Sequence, residues 1–298
     1  MKQARSKIAL ALGFITSASF FNMAHAESLV AINSLNQVSV FDSADVSAAL
    51  FTNITGLGAG ESFIDIDLRP SNNTIYGITT SNNIYTLNAN SGAASLVAAL
   101  STSIFDPSSG LGYSIDFNPI LDRTATASLR VVTSAGGNLA VNSNTGLVTA
   151  QTPITSGITG IAYNNSDPRQ AAAPADIDLY YVNSDADRLS EALTAFGNPV
   201  IDDVGAIGFD IVETNGYDIL SNDNSYAAVN LSDGLSNSLL LGIDINTGLG
   251  TDMGRFDYAI NGLSAAPSAV PVPAALPLMV SALGLFGLSR RNKAKKAL

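Results

Sequence analysis

The residue types that carry most enzyme chemistry are missing from the central part of the sequence. The single histidine, His25, lies close to the N-terminus, lysines occur only near the two ends, and the chain has no cysteine and no tryptophan. Serine-type triads usually need a histidine base, while cysteine nucleophiles, Schiff-base lysines and most zinc sites need the other missing types. We therefore expect no catalytic residue of these classes. Carboxylates and hydroxyls are the groups that remain.

Aspartates recur at one position of a repeated segment. The segments IDIDLRP, SIDFNP and IGFDI contain Asp67, Asp116 and Asp210, whereas the degenerate copy TGIAYN has Ala162 at that position. One interpretation is a ring of carboxylates that faces a central channel and binds a cation. The interpretation that we favour is structural, with each aspartate accepting hydrogen bonds from backbone N–H groups.

A second candidate for metal binding is the segment Asn183–Asp187. Oxygen-bearing side chains stand there at every second position, Asn183, Asp185 and Asp187, a pattern of the kind that Ca²⁺ accepts. The segment lacks the twelve-residue loop ending in glutamate, so we interpret it as a solvated turn. We expect no cofactor, with a structural Ca²⁺ as the alternative.

A pair of carboxylates, as used by glycosidases, is the remaining catalytic arrangement. Sugar clefts often contain aromatic platforms, and without tryptophan this role would fall to tyrosines. Tyrosines that alternate along strands are usually packing residues, which is the interpretation that we favour. The tyrosines in question are Tyr76, Tyr85, Tyr113, Tyr163, Tyr180 and Tyr181.

The charge of the central region excludes one class of partner. Residues 1–26 and 271–298 hold eight of the 14 basic residues and no acidic residue. Six arginines therefore stand against 25 acidic residues between them, a formal charge of −19 rather than the −11 of the whole chain. Nucleic-acid affinity depends on neutralising phosphates with lysine and arginine, so we expect no nucleic-acid binding.

The recurring segments define a repeat of constant length. Taking Asp67, Asp116, Ala162 and Asp210 as equivalent gives steps of 49, 46 and 48 residues. Each unit continues with short β-branched and aromatic runs, separated by turns such as Asn-Ser-Gly and Asn-Thr-Gly. A β-rich unit of this length is typical of a β-propeller blade.

The two ends of the central region complete the count of blades. Residues 29–54 contain three strand-like runs without a first strand, and residues 258–263 resemble a first strand that stands alone. Pairing these two segments would close a ring and leave no long free edge. We predict an all-β domain over residues 27–266 with five blades; the alternative is six, since residues 210–261 could hold further strands.

The first 26 residues have the pattern of a secretory signal peptide. A basic start precedes an apolar run, and Ala24-His25-Ala26 matches the A-x-A cleavage pattern, so the mature chain should begin at Glu27. The alternative is an N-terminal membrane anchor, for which the apolar run is short. We expect export across the inner membrane.

Residues 267–298 form a linker, an apolar segment and a basic end. Pro271-Val272-Pro273 precedes the apolar residues 274–288, and Arg290 and Arg291 begin the basic cluster. By the positive-inside rule the basic end stays cytoplasmic, which gives a transient span with the domain outside. An ordinary C-terminal anchor is the alternative.

The string VPVPAALPLMVSALGLFGLSRRNKA resembles a PEP-CTERM sorting signal. The resemblance implies the export machinery and an exosortase-like enzyme as partners, processing near the Pro-x-Pro motif, and a final place at the cell surface or outside the cell. Val272 stands where the named motif has glutamate, which leaves the identity of the processing enzyme open.

The central region resembles a family of secreted bacterial domains, DUF4394. The segment GESFIDIDLRPSNNTIYGITTSNNIYTLNANSGAASLV carries the resemblance most clearly, followed by IDFNPILDR and LRVVTSAGGNLAVNSNTG. The family implies a propeller-like fold and supplies no activity or site residues. We therefore expect a non-enzymatic surface or matrix protein that binds extracellular polysaccharide or another surface protein. The alternatives are a carboxylate-dependent polysaccharide hydrolase or lyase, and a matrix component without a specific ligand.

Overall fold

The fold is a five-bladed β-propeller, as the repeat predicts. The computed structural model describes residues 27–193 and 195–268, so the predicted signal peptide, Ala24, Ala26, Pro271–Pro273, Arg290 and Arg291 lie outside the described residues. Within these ranges, twenty strands form five four-stranded antiparallel sheets. No helix in the described ranges is long and apolar enough to cross a membrane.

The strands follow one another along the chain with short connections. They are β1 (Ser28–Asn33), β2 (Gln37–Asp42), β3 (Thr52–Asn53), β4 (Phe63–Arg69), β5 (Thr74–Thr79), β6 (Asn83–Leu87), β7 (Ala94–Ala99), β8 (Tyr113–Phe117), β9 (Ser128–Thr133), β10 (Asn138–Asn142), β11 (Val148–Ala150), β12 (Ile158–Tyr163), β13 (Leu179–Asn183), β14 (Arg188–Ala192), β15 (Asp202–Ala206), β16 (Ile211–Ile219), β17 (Ser225–Leu231), β18 (Leu239–Ile243), β19 (Gly250–Arg255) and β20 (Ile260–Ala265). Two short 3₁₀ turns lie at Val46–Ala48 and Leu121–Arg123.

Four blades are continuous in sequence and the fifth joins the two ends. Blade 1 is β4–β7, blade 2 is β8–β11, blade 3 is β12–β15 and blade 4 is β16–β19, each with its first strand innermost. Blade 5 has the order β20-β1-β2-β3, with Leu29 opposite Ala265 and Ala31 opposite Leu263. The predicted closure by the terminal strands is confirmed. The six-blade alternative is wrong, because residues 210–261 supply only blade 4 and the start of blade 5.

The hydrophobic core lies between consecutive blades rather than inside any one of them. One cluster joins Tyr76 and Ile78 of blade 1 to Phe117 and Val131 of blade 2, and corresponding clusters fill the other junctions. Because each sheet packs on both of its faces, the inner strands are buried along nearly their whole length, including their polar residues. No blade can bury its own faces, so closure of the ring is a condition of stability.

The repeated Asn-Ser-Gly and Asn-Thr-Gly turns attach blades 1, 2 and 4 to the blade before each. In blade 1 the side chain of Asn88 accepts hydrogen bonds from the turn's backbone, and Gly92 has φ +71°. Its carbonyl accepts the N–H of Thr55, in the segment that leaves blade 5. Turns with Gly146 and Gly248 lie equally close to the preceding blade. The recurring glycine therefore serves a blade-to-blade contact.

The fourth repeat was aligned wrongly from the sequence. Asp210, expected on an inner strand, is exposed and precedes β16, where its carboxylate accepts a hydrogen bond from Ser232. The inner-strand position belongs to Asp218, because its carboxylate bonds the next blade just as those of Asp67 and Asp116 do. β16 contains two register irregularities and several polar residues, which hid its character as an inner strand.

Glycines allow the inner strands of a narrow ring to approach one another. At Gly216, a Cβ would lie 2.2 Å from the backbone nitrogen of Leu263 on β20, and φ is +107°. At Gly262, a Cβ would lie 2.9 Å from both the Asp65 carboxylate and the Ile66 nitrogen on β4. Larger residues at these positions would force blades 4, 5 and 1 apart.

Replacing Gly216 by alanine should destabilise the domain by about 3 kcal/mol or more, because the new Cβ meets rigid backbone at a positive φ. Gly234→Ala is the matched control, since Gly234 has φ +78° and open space around it. The control should lose only about 1 kcal/mol. Urea unfolding of both variants measures the difference, and equal losses would contradict the close-approach account.

Candidate functional site

Three buried carboxyl groups meet on the axis of the propeller. Asp67 of β4, Asp116 of β8 and Asp218 of β16 each place one oxygen within 4.8 Å of the others. Each side chain belongs to a residue that is at most 4% exposed. We call these three residues the axial cluster. It is the only group of three or more potential ligand residues of this kind within residues 27–193 and 195–268.

The axial cluster carries hydrogen bonds from one blade to the next. Asp67 accepts the N–H of Leu68 on its own strand at 2.6 Å and the N–H of Phe117 on blade 2 at 2.7 Å. Asp116 accepts the N–H of Tyr163 on blade 3 at 3.2 Å. Asp218 accepts the N–H of Ala265 on blade 5. The contacts confirm the structural role expected of Asp67 and Asp116, and Asp218, which the sequence did not single out, has the same role.

A second layer of side chains makes the same kind of contact nearer the start of the inner strands. Asp65 accepts the N–H groups of Ile66 and Ile115, at 2.8 and 2.9 Å. The hydroxyls of Ser114 and Thr159 accept the N–H groups of Ile161 and Thr214, both at 3.1 Å. Blade 3, which has Ala162 in the cluster layer, thus reaches blade 4 through Thr159.

Burial raises the pKa values of all three carboxyl groups, and the negative charges of neighbouring aspartates add to this for Asp67 and Asp116. Two unit charges about 4 Å apart repel by roughly 4 kcal/mol at an effective dielectric of about 20. Burial, together with the charge of Asp218, raises the pKa of Asp67 well above 3.8, and burial with the charges of Asp67 and Asp218 does the same for Asp116. Burial raises the pKa of Asp218 to about 6, against hydrogen bonds that lower it.

Glu61, which the sequence analysis missed, shows the opposite behaviour. Burial works to raise its pKa, but hydrogen bonds from Thr79, Asn83, Tyr85 and the backbone of Gly58 outweigh burial and hold the pKa below 4.5. A buried carboxylate with four donors stays ionised, whereas carboxyls crowded together resist ionisation.

The axial cluster has the donor set for a hard cation, since carboxylate oxygens are the ligands that Ca²⁺ and Mg²⁺ prefer. Its oxygens already serve the backbone, however, and that is the role the contacts explain. Asp185 and Asp187 do not converge on such a group. Asp187 instead accepts the N–H of Ile211 at 2.7 Å, which ties the β13–β14 turn to blade 4.

A polar pocket lies over the end of the channel at which the inner strands finish. Its volume is about 490 Å³. Segments from blades 1, 3, 4 and 5 and the chain entering β1 contribute to it. The lining residues are Glu27, Ser28, Leu68, Ser166, Asp167, Pro168, Arg169, Leu220, Ser221, Asn222, Ala265, Ala266, Pro267 and Ser268. We call this the axial pocket.

The charged side chains of the axial pocket are held by their neighbours. Arg169 contacts Asp167 through two nitrogens, at 3.0 and 3.2 Å, and donates to the hydroxyl of Ser221 at 3.1 Å. Glu27 accepts a hydrogen bond from the amide of Asn222 at 2.6 Å. The guanidinium and carboxylates are therefore oriented before any ligand arrives.

The axial pocket rests directly on the axial cluster. Leu68 and Ala265 line the pocket, and their backbone N–H groups are the ones that Asp67 and Asp218 accept. Leu220 also lines the pocket and follows Ile219, whose backbone N–H donates a hydrogen bond to Asp218. We call Leu68, Leu220 and Ala265 the floor of the pocket. The position of this floor depends on the buried carboxyl groups of Asp67 and Asp218.

A buried ion pair supports the same end of the propeller. Arg69, which follows Leu68, contacts Asp122 of blade 2 at 2.6 Å, and these side chains are 8% and 0% exposed. The other oxygen of Asp122 accepts the N–H of Ser71. The guanidinium also lies over the ring of Tyr76, 5.2 Å from its centroid. The pair joins blades 1 and 2 beside the pocket.

The six tyrosines considered as sugar platforms are all buried, so the packing interpretation is confirmed for them. None is more than 7% exposed, and Tyr163 and Tyr181 are among the largest fully buried side chains. Tyr76 packs edge-on against Phe117 in the junction between blades 1 and 2. Their rings hold blades together and are not offered to a ligand.

The chain matches the family described as Domain of unknown function (DUF4394) over residues 37–264. No curated protein matches the chain significantly. Among solved structures, a protein of unknown function from Bacteroides caccae is 10% identical, with 82% of this chain and 100% of that chain covered and a TM-score of 0.40.

Two further solved structures show the same level of similarity. The calcium-binding protein regucalcin from Agrobacterium tumefaciens is 11% identical, covering 78% of this chain and 74% of that one, with a TM-score of 0.38. YCF48 bound to D1 peptide is 8% identical, covering 78% and 64%, with a TM-score of 0.35. At these scores no ligand or partner can be transferred to this chain.

Replacing Arg69 by alanine should cost about 3–5 kcal/mol of unfolding free energy, because Asp122 would stay buried without its partner. Arg188→Ala is the matched control: Arg188 pairs with Asp203, but the two side chains are 41% and 52% exposed. Exposed pairs contribute little, so we expect no measurable change there. Urea unfolding compares the two, and a loss confined to Arg188→Ala would refute the buried-pair account.

Proposed function

The chain belongs to the DUF4394 family, and we propose that it works as a non-enzymatic binding module outside the inner membrane. Its ligand would be an extracellular polysaccharide, held in the axial pocket. The arrangement of Arg169, Asp167 and Ser221 carries this proposal, because it offers oriented donors and acceptors on a rigid ring. Binding requires no chemistry beyond what these side chains supply.

The composition of the axial pocket fits a hydroxyl-rich ligand of no strong net charge. Arg169 is accompanied by the carboxylates of Asp167 and Glu27, so neither sign of charge dominates. Serine hydroxyls and the amide of Asn222 add groups that both donate and accept hydrogen bonds. Pro168 is partly exposed and offers apolar surface to the C–H face of a sugar ring, while Leu68 and Leu220 are nearly buried in the lining.

The ends of the sequence support the proposed location. The signal-peptide pattern of residues 1–26 would bring the domain across the inner membrane, and the PEP-CTERM-like tail would be processed near Pro271–Pro273 by an exosortase-like enzyme. Until then the apolar segment would span the membrane transiently. The processed domain would remain at the cell surface or in the extracellular matrix.

The alternative function is a carboxylate-dependent polysaccharide hydrolase or lyase. The observation in its favour is that the axial cluster holds carboxyl groups of raised pKa below a polar pocket, as general acids require. Burial of these side chains and their occupation by backbone N–H groups favour binding without catalysis. An incubation with the bound polysaccharide that releases new reducing ends would establish the alternative.

Replacing Arg169 by alanine should weaken binding to the best polysaccharide of a bacterial glycan array by at least about tenfold, since a charge-assisted donor is lost. Arg188→Ala removes an arginine that is 41% exposed, against 66% for Arg169, and that lies at the opposite end of blade 3 from the pocket, so this variant should bind as the parent does. Surface plasmon resonance measures both affinities.

Two results would count against this function. If no polysaccharide on the array binds, but a cell-surface protein is captured and Arg169→Ala leaves that capture unchanged, the axial pocket is not the binding site. If neither polysaccharide nor protein binds, the domain is a structural matrix component without a specific ligand.

A further inference from the structure

We propose that protons shared by Asp67, Asp116 and Asp218 hold the floor of the axial pocket in place, so that the pocket loosens as the pH rises. The statement about the floor stands on the geometry of the propeller alone. Its consequence, a weaker affinity for ligand at higher pH, rests on the function proposed above.

The first step of the inference is the direct contact between cluster and floor. Asp67 holds the N–H of Leu68, and Asp218 holds the N–H groups of Ile219 and Ala265. Leu68 and Ala265 line the pocket themselves, and Leu220 follows Ile219. A displacement of either carboxyl group would therefore move residues of the pocket lining directly.

The second step is that the carboxyl groups cannot separate without moving strands. They come from β4, β8 and β16, which belong to three different blades, and one oxygen of each lies within 4.8 Å of the others. Full ionisation would place three negative charges in this space. The resulting repulsion acts across the axis, in the direction that pushes blades 1, 2 and 4 apart.

The third step concerns the charges that surround the axial cluster. Asp65 on β4 adds another carboxyl group nearby, and Tyr163 of β12 and Tyr217 of β16 are the titratable neighbours on the other strands. The guanidinium of Arg130 contacts the hydroxyl of Tyr163. None of the four ion pairs found in residues 27–193 and 195–268 includes a cluster aspartate. We therefore infer that the negative charge of the axial cluster is neutralised by protons shared among its carboxyl groups.

The direction of the effect follows from the pKa shifts. Asp218 has an ordinary pKa of 3.8 when unfolded and about 6 when folded, and Asp67 and Asp116 shift in the same direction. The folded protein therefore binds protons that the opened form releases. The stabilisation is complete below 3.8 and is lost as the pH rises through 6 and above.

Hydrogen exchange measured by mass spectrometry tests the floor without any ligand. In the purified protein, corrected for the intrinsic pH dependence of exchange, protection of peptides covering 64–69 and 260–266 should fall as the pH rises from about 4.5 to about 7.5. We expect about a tenfold loss per pH unit in the range where one proton is released. A peptide covering β10, away from the axis, should change little.

Asp116→Asn is the informative variant, because it removes one titrating charge and leaves the contacts of Asp67 and Asp218 with the floor intact. It should flatten the pH dependence of both floor peptides. Asp210→Asn is the control, since Asp210 is exposed and outside the cluster, and it should behave as the parent does. The parent's own pH series carries the test if Asp116→Asn does not fold.

Two outcomes would overturn the inference. One is protection of the floor peptides that does not depend on pH in the parent. The other is protection that collapses when a chelator is added and returns with Ca²⁺ or Mg²⁺, which would mean that a cation and not protons neutralises the cluster. A failure of the glycan array, with the exchange result as expected, would remove the proposed function and leave the proton account standing.

Discussion

The free edge of each inner strand is the constraint on which this propeller depends. Every inner strand pairs with the second strand of its blade on one side, and its other edge faces the axis without a partner strand. Backbone N–H groups buried there must find acceptors, because an unpaired buried donor costs about as much as a lost hydrogen bond. Side chains of the neighbouring inner strand supply these acceptors, mostly as carboxyl oxygens.

This solution has a consequence for charge. Aspartate reaches the backbone of the next blade well, but a ring of only five blades brings several aspartates together in a small buried space. Hydrogen bonds from N–H groups favour the ionised form, while burial and mutual repulsion favour the protonated form. The aspartate carboxyl groups therefore join the blades through their hydrogen bonds, but they repel one another when they are ionised.

The hydrogen bonds between the inner strands also hold the lining of the axial pocket in place. Its lining comes from several blades, and so a ligand placed there would contact segments far apart in sequence. The pair of Arg169 and Asp167 supplies charged groups at its rim, and the ion pair of Arg69 and Asp122 joins the blades beside it. The pocket is thus built from the ends of strands β1, β4 and β20 together with the loops beside them.

The fold could be predicted from the sequence because the repeat, the turn glycines and the incomplete end units all reflect the same ring. The cluster could be predicted only in part. Asp67 and Asp116 stand in clear copies of one motif, but Asp218 lies in an irregular strand that does not resemble them. Asp210 occupied the motif-like segment instead.

The axial pocket could not be predicted from the sequence, since no motif contains it. Arg169 and Asp167 lie in the loop after β12, but their neighbour Ser221 follows β16, so this contact exists only because blades 3 and 4 are adjacent. Glu61 was missed for a similar reason. Three of its four donors belong to the β5–β6 hairpin, about 20 residues away in sequence, so that its ionised state depends on packing rather than on local sequence alone.

Carbon-13 NMR titration of the aspartate side-chain carboxyl groups tests the central claim most directly. The account predicts that Asp218 titrates near 6, that Asp67 and Asp116 titrate well above 3.8, and that Glu61 titrates below 4.5 in the same sample. Titration of all three cluster aspartates at or below 3.8 would contradict it, because three ionised carboxylates could then meet on the axis only around a bound cation.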